Sequence, residues 1–231
     1  MQTEGTKMKT KEIYDILRSG GLSHAGALGM IGNMMAEAGP SLPSNIAQRG
    51  MTKLSDAQYT AAADNGLIDF VHDAVGYGLC QWTYHSRKQG LLNYARQQGV
   101  SVGDGTMQVN YALKELREDY SAIYGVLCNS TSIDDCADVV CTQFERPAVN
   151  NLAERRQYAH EAEAKIATEP EKPTYTPPVK DPVQATFPPD PTVLAFQLWM
   201  RYNGYECETN GYKSGDFFKV LDQFVADMKS C

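Results

Sequence analysis

A proline-rich stretch at residues 168–191 divides the chain into two parts of unequal length. It holds eight prolines and almost no apolar periodicity, which is typical of an extended, semi-rigid linker. Residues 1–167 are long enough to form a domain with its own core, whereas residues 192–231 are too few to fold readily without a staple or a partner surface. We therefore predict a main domain, a linker and a small C-terminal segment.

Helical spacing and composition dominate the main domain. They predict helices over residues 11–20, 24–38, 85–98, 107–120, 121–128, 132–144 and 151–168. Strand signals are limited to short pieces at residues 68–71 and 76–82, which indicate a small sheet or hairpin near residues 40–80. The predicted fold class is therefore mainly α, with a minor β component (α+β). Residues 192–231 are predicted to form a helical hairpin.

Charge and hydropathy exclude several classes of partner. The net charge is −7 at pH 7, which disfavours nucleic acid as a ligand. No apolar run approaches the ~18 residues of a membrane span, so we predict no stable membrane insertion. Residues 1–10 are polar and are followed by no apolar core of a signal peptide, so the ordinary secretory route is unsupported. Oligomeric state is not indicated.

The cysteines predict neither a metal site nor a dense disulfide framework. No CxxC pair occurs among the six cysteines, and the four histidines are scattered. We predict no metal and no cofactor, with most thiols reduced and packed in the interior. Cys207 and Cys231 bracket the last segment and remain candidates for a disulfide in an oxidising setting.

Glu37 is the first candidate for chemistry. Ser23 is a good N-cap for a helix over residues 24–38, and Gly39 ends it. Asn33 and Glu37 are four residues apart and share one face, with Glu37 in the last turn. The helix dipole and the apolar neighbours of Glu37 both favour its protonated form. That form is what a general acid for a glycosidic oxygen needs, although a solvent-exposed glutamate without a chemical role is the alternative.

A second candidate region lies at residues 76–84. Its glycines let the backbone approach a ligand, its polar side chains offer hydrogen bonds, and its aromatic rings offer faces to sugars. The residues in question are Gly76, Gly78, Gln81, Thr83, Trp82 and Tyr84. The alternative is a tryptophan buried in a turn.

Three blocks of sequence, in order, resemble the phage tail lysozyme family and the wider lysozyme-like and lytic-transglycosylase superfamily. The first is GMIGNMMAEAGP, in which Glu37 matches the catalytic glutamate of the family. The second is GYGLCQWT, with Arg87 following it, and the third is TQFERPAVNNLAERRQYA. The resemblance extends from residue 11 to about residue 166. It departs at Cys80, where the family usually has a bulky apolar residue.

The resemblance implies a lysozyme-like catalytic domain that binds bacterial peptidoglycan. The bond cleaved would be the β-1,4 bond between N-acetylmuramic acid and N-acetylglucosamine. By the same carry-over, substrate-binding residues are Tyr77, Gln81, Trp82, Thr83 and Arg87. Family members occur as phage endolysins and as virion-associated enzymes. We therefore expect either residence in the host cytoplasm before release to the wall or packaging in a virion.

The second half of the reaction needs a group that the sequence only ranks. Asp73 is the first candidate because it shortly precedes residues 76–82, and Asp64 is the second, ahead of Asp56 and Asp69. A lytic transglycosylase needs no second carboxylate, since the C6 hydroxyl of muramic acid attacks and leaves a 1,6-anhydro end. Both outcomes remain open at this point.

Two other classes of function also remain open. Cys80 with His85 or His72 would make a cysteine peptidase or amidase, although no peptidase signature surrounds them. A wall-binding module that keeps the fold without catalysis is the other class. For residues 192–231, anchoring to the host wall competes with docking on the catalytic domain or self-association.

Overall fold

A computed structural model of the chain describes residues 7–168 together with residues 193, 196, 197 and 200. The chain divides into two compact units, Met1–Pro170 and Glu171–Cys231. Within residues 7–168 the helices are α1 Thr10–Ser19, α2 His24–Ala38, α3 Asp56–Asp64, α4 His85–Gln98, α5 Gly105–Glu118, α6 Ser121–Asn129, α7 Ile133–Val139 and α8 Leu152–Thr168. A π-helix, Val140–Glu145, continues directly from α7.

Helix α2 is the centre of this unit. Its N-cap residue Ser23 accepts a hydrogen bond from the Gly26 amide at 2.9 Å, and Gly39 is its C-cap, as predicted. Residues 25–35 are all buried, because α1, α6, α7, the π-helix and α8 pack around the helix. The helix is therefore a core helix rather than one with a single buried stripe. Its first residue, His24, and its last turn, which carries Glu37, reach the surface.

Gly32 sets the distance between α2 and α8. A Cβ atom at this position would lie 2.4 Å from the backbone oxygen of Arg155 and 2.8 Å from the Cβ of Ala159. Any larger residue would therefore push the two helices apart. The close approach brings the side chain of Arg155 to the C-terminal half of α2.

The mainly α class is confirmed, whereas the predicted sheet is wrong. No strand occurs within residues 7–168, where pairing is confined to isolated bridges such as Tyr77 with Trp82 and Tyr77 with Ala47. Residues 68–71 lie in a turn in which the Asp69 carbonyl accepts from the amides of His72 and Asp73. Local turn hydrogen bonds thus replace the strand pairing that the short apolar run suggested.

The helix predictions fail at two places. Helix α3 was not predicted, although Ser55 and Gln58 form a capping box at its start. The helix predicted over residues 132–144 changes at Val139 from α to π geometry. The predicted bounds of α2 and α4 agree with the structure.

The second unit is described at four positions, residues 193, 196, 197 and 200, all of which are helical. Val193, Gln197 and Met200 are buried. The predicted linker, beyond Thr168, and the predicted pairing of Cys207 with Cys231 lie outside the described residues. Across the part of the chain that the structure describes, no helix has both the length and the apolar character needed to cross a membrane.

Candidate active site

Glu37 is held by a buried arginine. The Nη2 atom of Arg155 donates to Glu37 Oε1 at 2.6 Å, and its Nη1 atom donates to Asn33 Oδ1 at 2.7 Å. Asn33 in turn donates to the backbone oxygens of Gly29 and Ala137 at 2.8 and 2.9 Å. Asn33 and Glu37 therefore share one face, as their spacing predicts. Because 18% of the Glu37 side chain is exposed, a ligand in solvent has access to it.

The ion pair fixes the position of Glu37. Only 5% of the Arg155 side chain is exposed, so little solvent screens its charge. A hydrogen bond between a guanidinium and a carboxylate is charge-assisted and therefore stronger than one between neutral groups. The cluster thus holds the carboxyl group of Glu37 in one place at the end of α2.

A second carboxyl group, Glu145, lies close enough to Glu37 for their charges to interact. Glu145 ends the π-helix, which packs against α2. Its Oε1 atom is buried and, among the described residues, has no hydrogen-bond partner. Burial raises the pKa of Glu145 to about 8, and the negative charge of Glu37 also raises it. Arg87, a hydrogen bond with the Cys80 thiol, and Arg155 act in the opposite direction without cancelling the rise.

Trp82 and Arg87 are joined through a buried glutamate. Trp82 Nε1 donates to Glu115 Oε2 at 2.8 Å, and Arg87 forms two bonds with the same carboxylate at 2.8 and 2.9 Å. The Trp82 side chain is fully buried, so neither face of its ring is open to a sugar. The Arg87 guanidinium also lies 4.5 Å from the centre of the Phe144 ring. Both side chains are hydrogen-bonded to Glu115 inside the protein. Substrate binding by Trp82 and Arg87 stays a prediction.

Tyr77 and Gln81 are likewise turned to the interior. Tyr77 is fully buried, and its hydroxyl lies 2.6 Å from Thr60 Oγ1. Gln81 Nε2 donates to the Gly78 carbonyl at 3.0 Å. Gly78 has a φ of +74°, and a Cβ atom there would lie 2.5 Å from Gln108 Oε1. The close approach that this glycine permits is thus to a buried glutamine of α5.

Asp73 forms an ion pair with the buried Lys88. Lys88 Nζ donates to Asp73 Oδ1 at 2.6 Å and to the Val75 carbonyl at 2.8 Å, and its side chain is fully buried. The Tyr59 hydroxyl donates to Asp73 Oδ2 at 2.7 Å. These contacts give Asp73 a structural role, and its catalytic role stays a prediction.

The lower-ranked aspartates also have local partners. Asp64 accepts from the Ser101 hydroxyl and the Val102 amide, at 2.6 and 2.8 Å. Asp56 accepts from the Ala47 amide at 3.1 Å, and Asp69 contacts His72 at 2.9 Å. Each contact links or caps a loop.

The surroundings of Cys80 do not suit a catalytic nucleophile. The residue is 2% exposed, and burial raises the pKa of its thiol well above the usual value. The described charged groups that act on it are Glu145, Arg87 and Glu115. A nucleophilic cysteine needs the opposite shift and an adjacent base.

An open pocket of about 450 Å³ lies beside the second candidate region. Its lining comprises Val71, His72, Ala74, Thr83, Tyr84 and His85. Tyr84 is 64% exposed, and the His72 and His85 rings stack with centres 6.2 Å apart. Trp82 and Tyr84 were the two aromatic rings predicted to face sugars. Tyr84 is accessible and Trp82 is buried. Thr83 is the predicted binding residue that lines this pocket.

The family model described as phage tail lysozyme matches residues 8–166. The chain belongs to the phage tail lysozyme family. The match covers more than half of the chain and contains both the Glu37 cluster and Glu145. Membership supports a lysozyme-type function in which peptidoglycan is degraded. No curated protein sequence matches the chain.

Three residues of the site were not singled out from the sequence. Arg155 and Glu145 both lie in the third block of the resemblance, where they match the F-E-x-P and R-R parts of the family's pattern, and that match was a usable signal. Glu115 lies outside the three blocks, on α5, and no local pattern marks it. Its importance follows only from the tertiary contacts with Trp82 and Arg87.

Proposed function

We propose that the chain hydrolyses the β-1,4 bond between N-acetylmuramic acid and N-acetylglucosamine in bacterial peptidoglycan, with Glu37 as the general acid. The observation that carries the proposal is the fixed, partly exposed carboxyl group of Glu37, bound by Arg155 within the range matched by the family. We infer that the enzyme acts from a phage particle or after release from an infected cell.

In this proposal Arg155 positions the carboxyl group of Glu37, and Glu37 transfers the proton. Arg155, which is itself held by Asn33, restricts the rotamers of Glu37, and this favours a fixed alignment with a bound glycosidic oxygen. Protonation of that oxygen by Glu37 lets the C1–O bond break with its electron pair on the leaving sugar. Water then adds to the sugar carbon that carries the developing positive charge. General acid catalysis of this kind contributes about 10²–10⁴-fold in rate.

Mass spectrometry of digested peptidoglycan tests this function. Purified walls incubated with the enzyme are expected to release muropeptides with hydrated reducing ends on muramic acid. Anhydro ends, lighter by one water, would contradict hydrolysis and establish a lytic transglycosylase. The ion pair between Asp73 and Lys88 favours a lytic transglycosylase. It occupies the carboxylate that ranks first among the candidates for the second catalytic group. Cleaved stem peptides with intact glycan strands would contradict both.

Tyr84 is expected to contribute to glycan binding. Replacing Tyr84 with alanine removes the exposed ring of the pocket, and we expect KM for peptidoglycan fragments to rise about 3- to 10-fold, as for a lost aromatic contact. Because the ring is largely exposed, the melting temperature should stay close to that of the parent.

Tyr84→Phe is the matched control for this prediction. Phenylalanine keeps the ring face and removes only the hydroxyl, so KM should stay near the parent value. An unchanged KM in the alanine variant would exclude this pocket from the glycan-binding surface.

A further inference from the structure

The proposed acid and the exposed aromatic pocket belong to different groups of packed helices. Glu37 is carried by α2, which packs against α1, α6, α7, the π-helix and α8. The pocket around Tyr84 is formed by residues between 71 and 85, which lead into α4, and α4 packs chiefly against α5. The proposed function requires one glycan to contact both Tyr84 and Glu37. Because a misplacement of about 1 Å can lower a rate by about 100-fold, the spacing between the two groups of helices must be fixed.

We propose that Arg87 is a positioning residue for the reaction, because its guanidinium joins the first turn of α4 to both α5 and the π-helix and so holds the Tyr84 pocket in a fixed position relative to Glu37. The inference rests on the proposed function and deepens it. Arg87 acts through the helices that it joins and does not itself contact the glycan.

One edge of the Arg87 guanidinium is bound to α5. Its Nε and Nη2 atoms donate to Oε1 and Oε2 of Glu115 at 2.8 and 2.9 Å. Only 16% of the Arg87 side chain and 3% of the Glu115 side chain are exposed, so little water competes for these bonds. Two bonds between a planar guanidinium and a carboxylate fix orientation as well as distance. The Tyr111 hydroxyl of α5 also donates to the backbone oxygen of Arg87 at 3.0 Å, which anchors the main chain of α4 to the same helix.

A second set of contacts joins the guanidinium to the π-helix. Its central carbon, Cζ, lies over the Phe144 ring, 4.5 Å from the ring centre. Phe144 is buried, and the Tyr120 ring meets it edge-on with ring centres 5.1 Å apart. Because the N–H groups of a guanidinium lie in its plane, its face can rest on a ring while its edge keeps its hydrogen bonds. The π-helix packs against α2, so this contact relates the first turn of α4 to the helix that carries Glu37.

The position of Arg87 in α4 makes the link short. Tyr84 is the N-cap residue of α4 and Arg87 is its third residue, so both belong to the start of the helix. Trp82, two residues before Tyr84, donates to the same Glu115 carboxylate that binds Arg87. The chain on both sides of Tyr84 is thus bound to one buried carboxylate. A shift of Arg87 relative to the π-helix would therefore move Tyr84 relative to Glu37.

Direct contact with the glycan is the competing role for Arg87. Its Nε and Nη2 atoms are both bonded to Glu115, and its guanidinium lies over Phe144. These contacts leave little of the side chain for a ligand in solvent. The two roles differ in kinetics, because loss of a binding contact raises KM, whereas loss of alignment lowers kcat.

Arg87→Lys tests the inference, because lysine keeps the positive charge and loses the planar fork. At a temperature well below the melting transition, we expect kcat on soluble peptidoglycan fragments to fall about 10- to 100-fold, with KM within about 3-fold of the parental value. Phe144→Leu removes the ring under the guanidinium and should produce a similar change. Because both changes break the same link, the double variant should be at most about 3-fold slower than the slower single variant.

Arg96→Lys is the matched control for Arg87→Lys. Arg96 lies in the last turn of the same helix and is exposed, so both kcat and KM should equal the parental values. Calorimetry of each variant separates alignment from folding. A purely structural change lowers the melting temperature and leaves kcat of the folded enzyme unchanged.

Three results would overturn the positioning role. A raised KM with the parental kcat in Arg87→Lys would assign Arg87 to glycan binding. The parental kcat in a folded Phe144→Leu enzyme would show that the contact with the π-helix does not align the site. Rate losses that multiply in the double variant would show that the two residues act independently. If Arg87→Lys does not fold, Phe144→Leu decides alone, because it leaves Arg87 paired with Glu115.

Glu37→Gln, measured on the same fragments, separates this inference from the proposed function. A parent enzyme that cleaves the glycan and a Glu37→Gln variant that does not would uphold the function, whatever the Arg87 variants show. In that case an Arg87→Lys variant with the parental kcat would overturn the inference alone. A parent enzyme that cleaves no glycan would overturn the function and, with it, the inference.

Discussion

Glu37→Gln is expected to lower the initial rate of peptidoglycan cleavage by about 10²–10⁴-fold, the usual contribution of a general acid. Glutamine has nearly the same shape as glutamate, and its side-chain oxygen still accepts a hydrogen bond from Arg155. It cannot transfer a proton to the leaving sugar. The variant should therefore bind peptidoglycan but release almost no soluble muropeptides, as measured by zymography and by reducing-end analysis on walls from several bacteria.

Glu118→Gln is a matched control for this experiment. Glu118 also ends a helix, α5, but its side chain is 58% exposed and, within the described part of the chain, pairs only with Lys114 one turn earlier. We expect this variant to keep the parental rate. Loss of activity in Glu37→Gln must be accompanied by a folded protein, which circular dichroism checks. A folded Glu37→Gln enzyme that still solubilises walls would exclude Glu37 as the acid.

The parts of the site that could be predicted from the sequence are those fixed by local interactions. Ser23 and Gly39 delimit α2, and the four-residue spacing places Asn33 and Glu37 on one face. These features depend on residues within about one turn of each other, so a single sequence suffices to find them.

The parts that could not be predicted depend on contacts between distant residues. Arg155 is 118 positions away from Glu37 in the chain, and Arg87 is 28 positions away from Glu115. Charged partners of this kind are chosen by helix packing, which Gly32 governs for α2 and α8 and which no local pattern encodes.

The sequence also could not predict which aromatic side chains are exposed. Trp82 and Tyr84 are two positions apart in one loop, and either ring is chemically suited to a sugar. Trp82 has a buried acceptor in Glu115 for its indole N–H, whereas Tyr84 lies at the start of α4 and points into solvent. An indole group with a satisfied N–H is stable in the interior, and this contact decided which ring was buried.

Asp73→Asn is expected to destabilise the enzyme by about 3 kcal/mol, because it leaves the ammonium of Lys88 buried without a counter-charge. The Asp73 side chain is 22% exposed, which favours the lower end of the range for a broken buried ion pair. For a domain of this size the melting temperature should fall by about 6–12 °C. Differential scanning calorimetry measures this change, and an unchanged melting temperature would show that the ion pair contributes little.

A double variant, Asp73→Asn with Lys88→Met, separates the structural role of Asp73 from the catalytic one. Methionine has nearly the volume of lysine and carries no charge, so the unpaired buried ammonium of the single variant is removed and much of the lost stability should return. Lys88 Nζ lies over the Phe70 ring at 4.2 Å from its centre, and the methionine thioether can pack on the same ring. If Asp73 serves only the fold, the double variant should cleave peptidoglycan at nearly the parental rate, since the contacts of Glu37 with Arg155 are untouched. A stable double variant with a rate reduced 100-fold or more, about the smallest loss expected for a missing acid or base, would restore Asp73 as the second catalytic group.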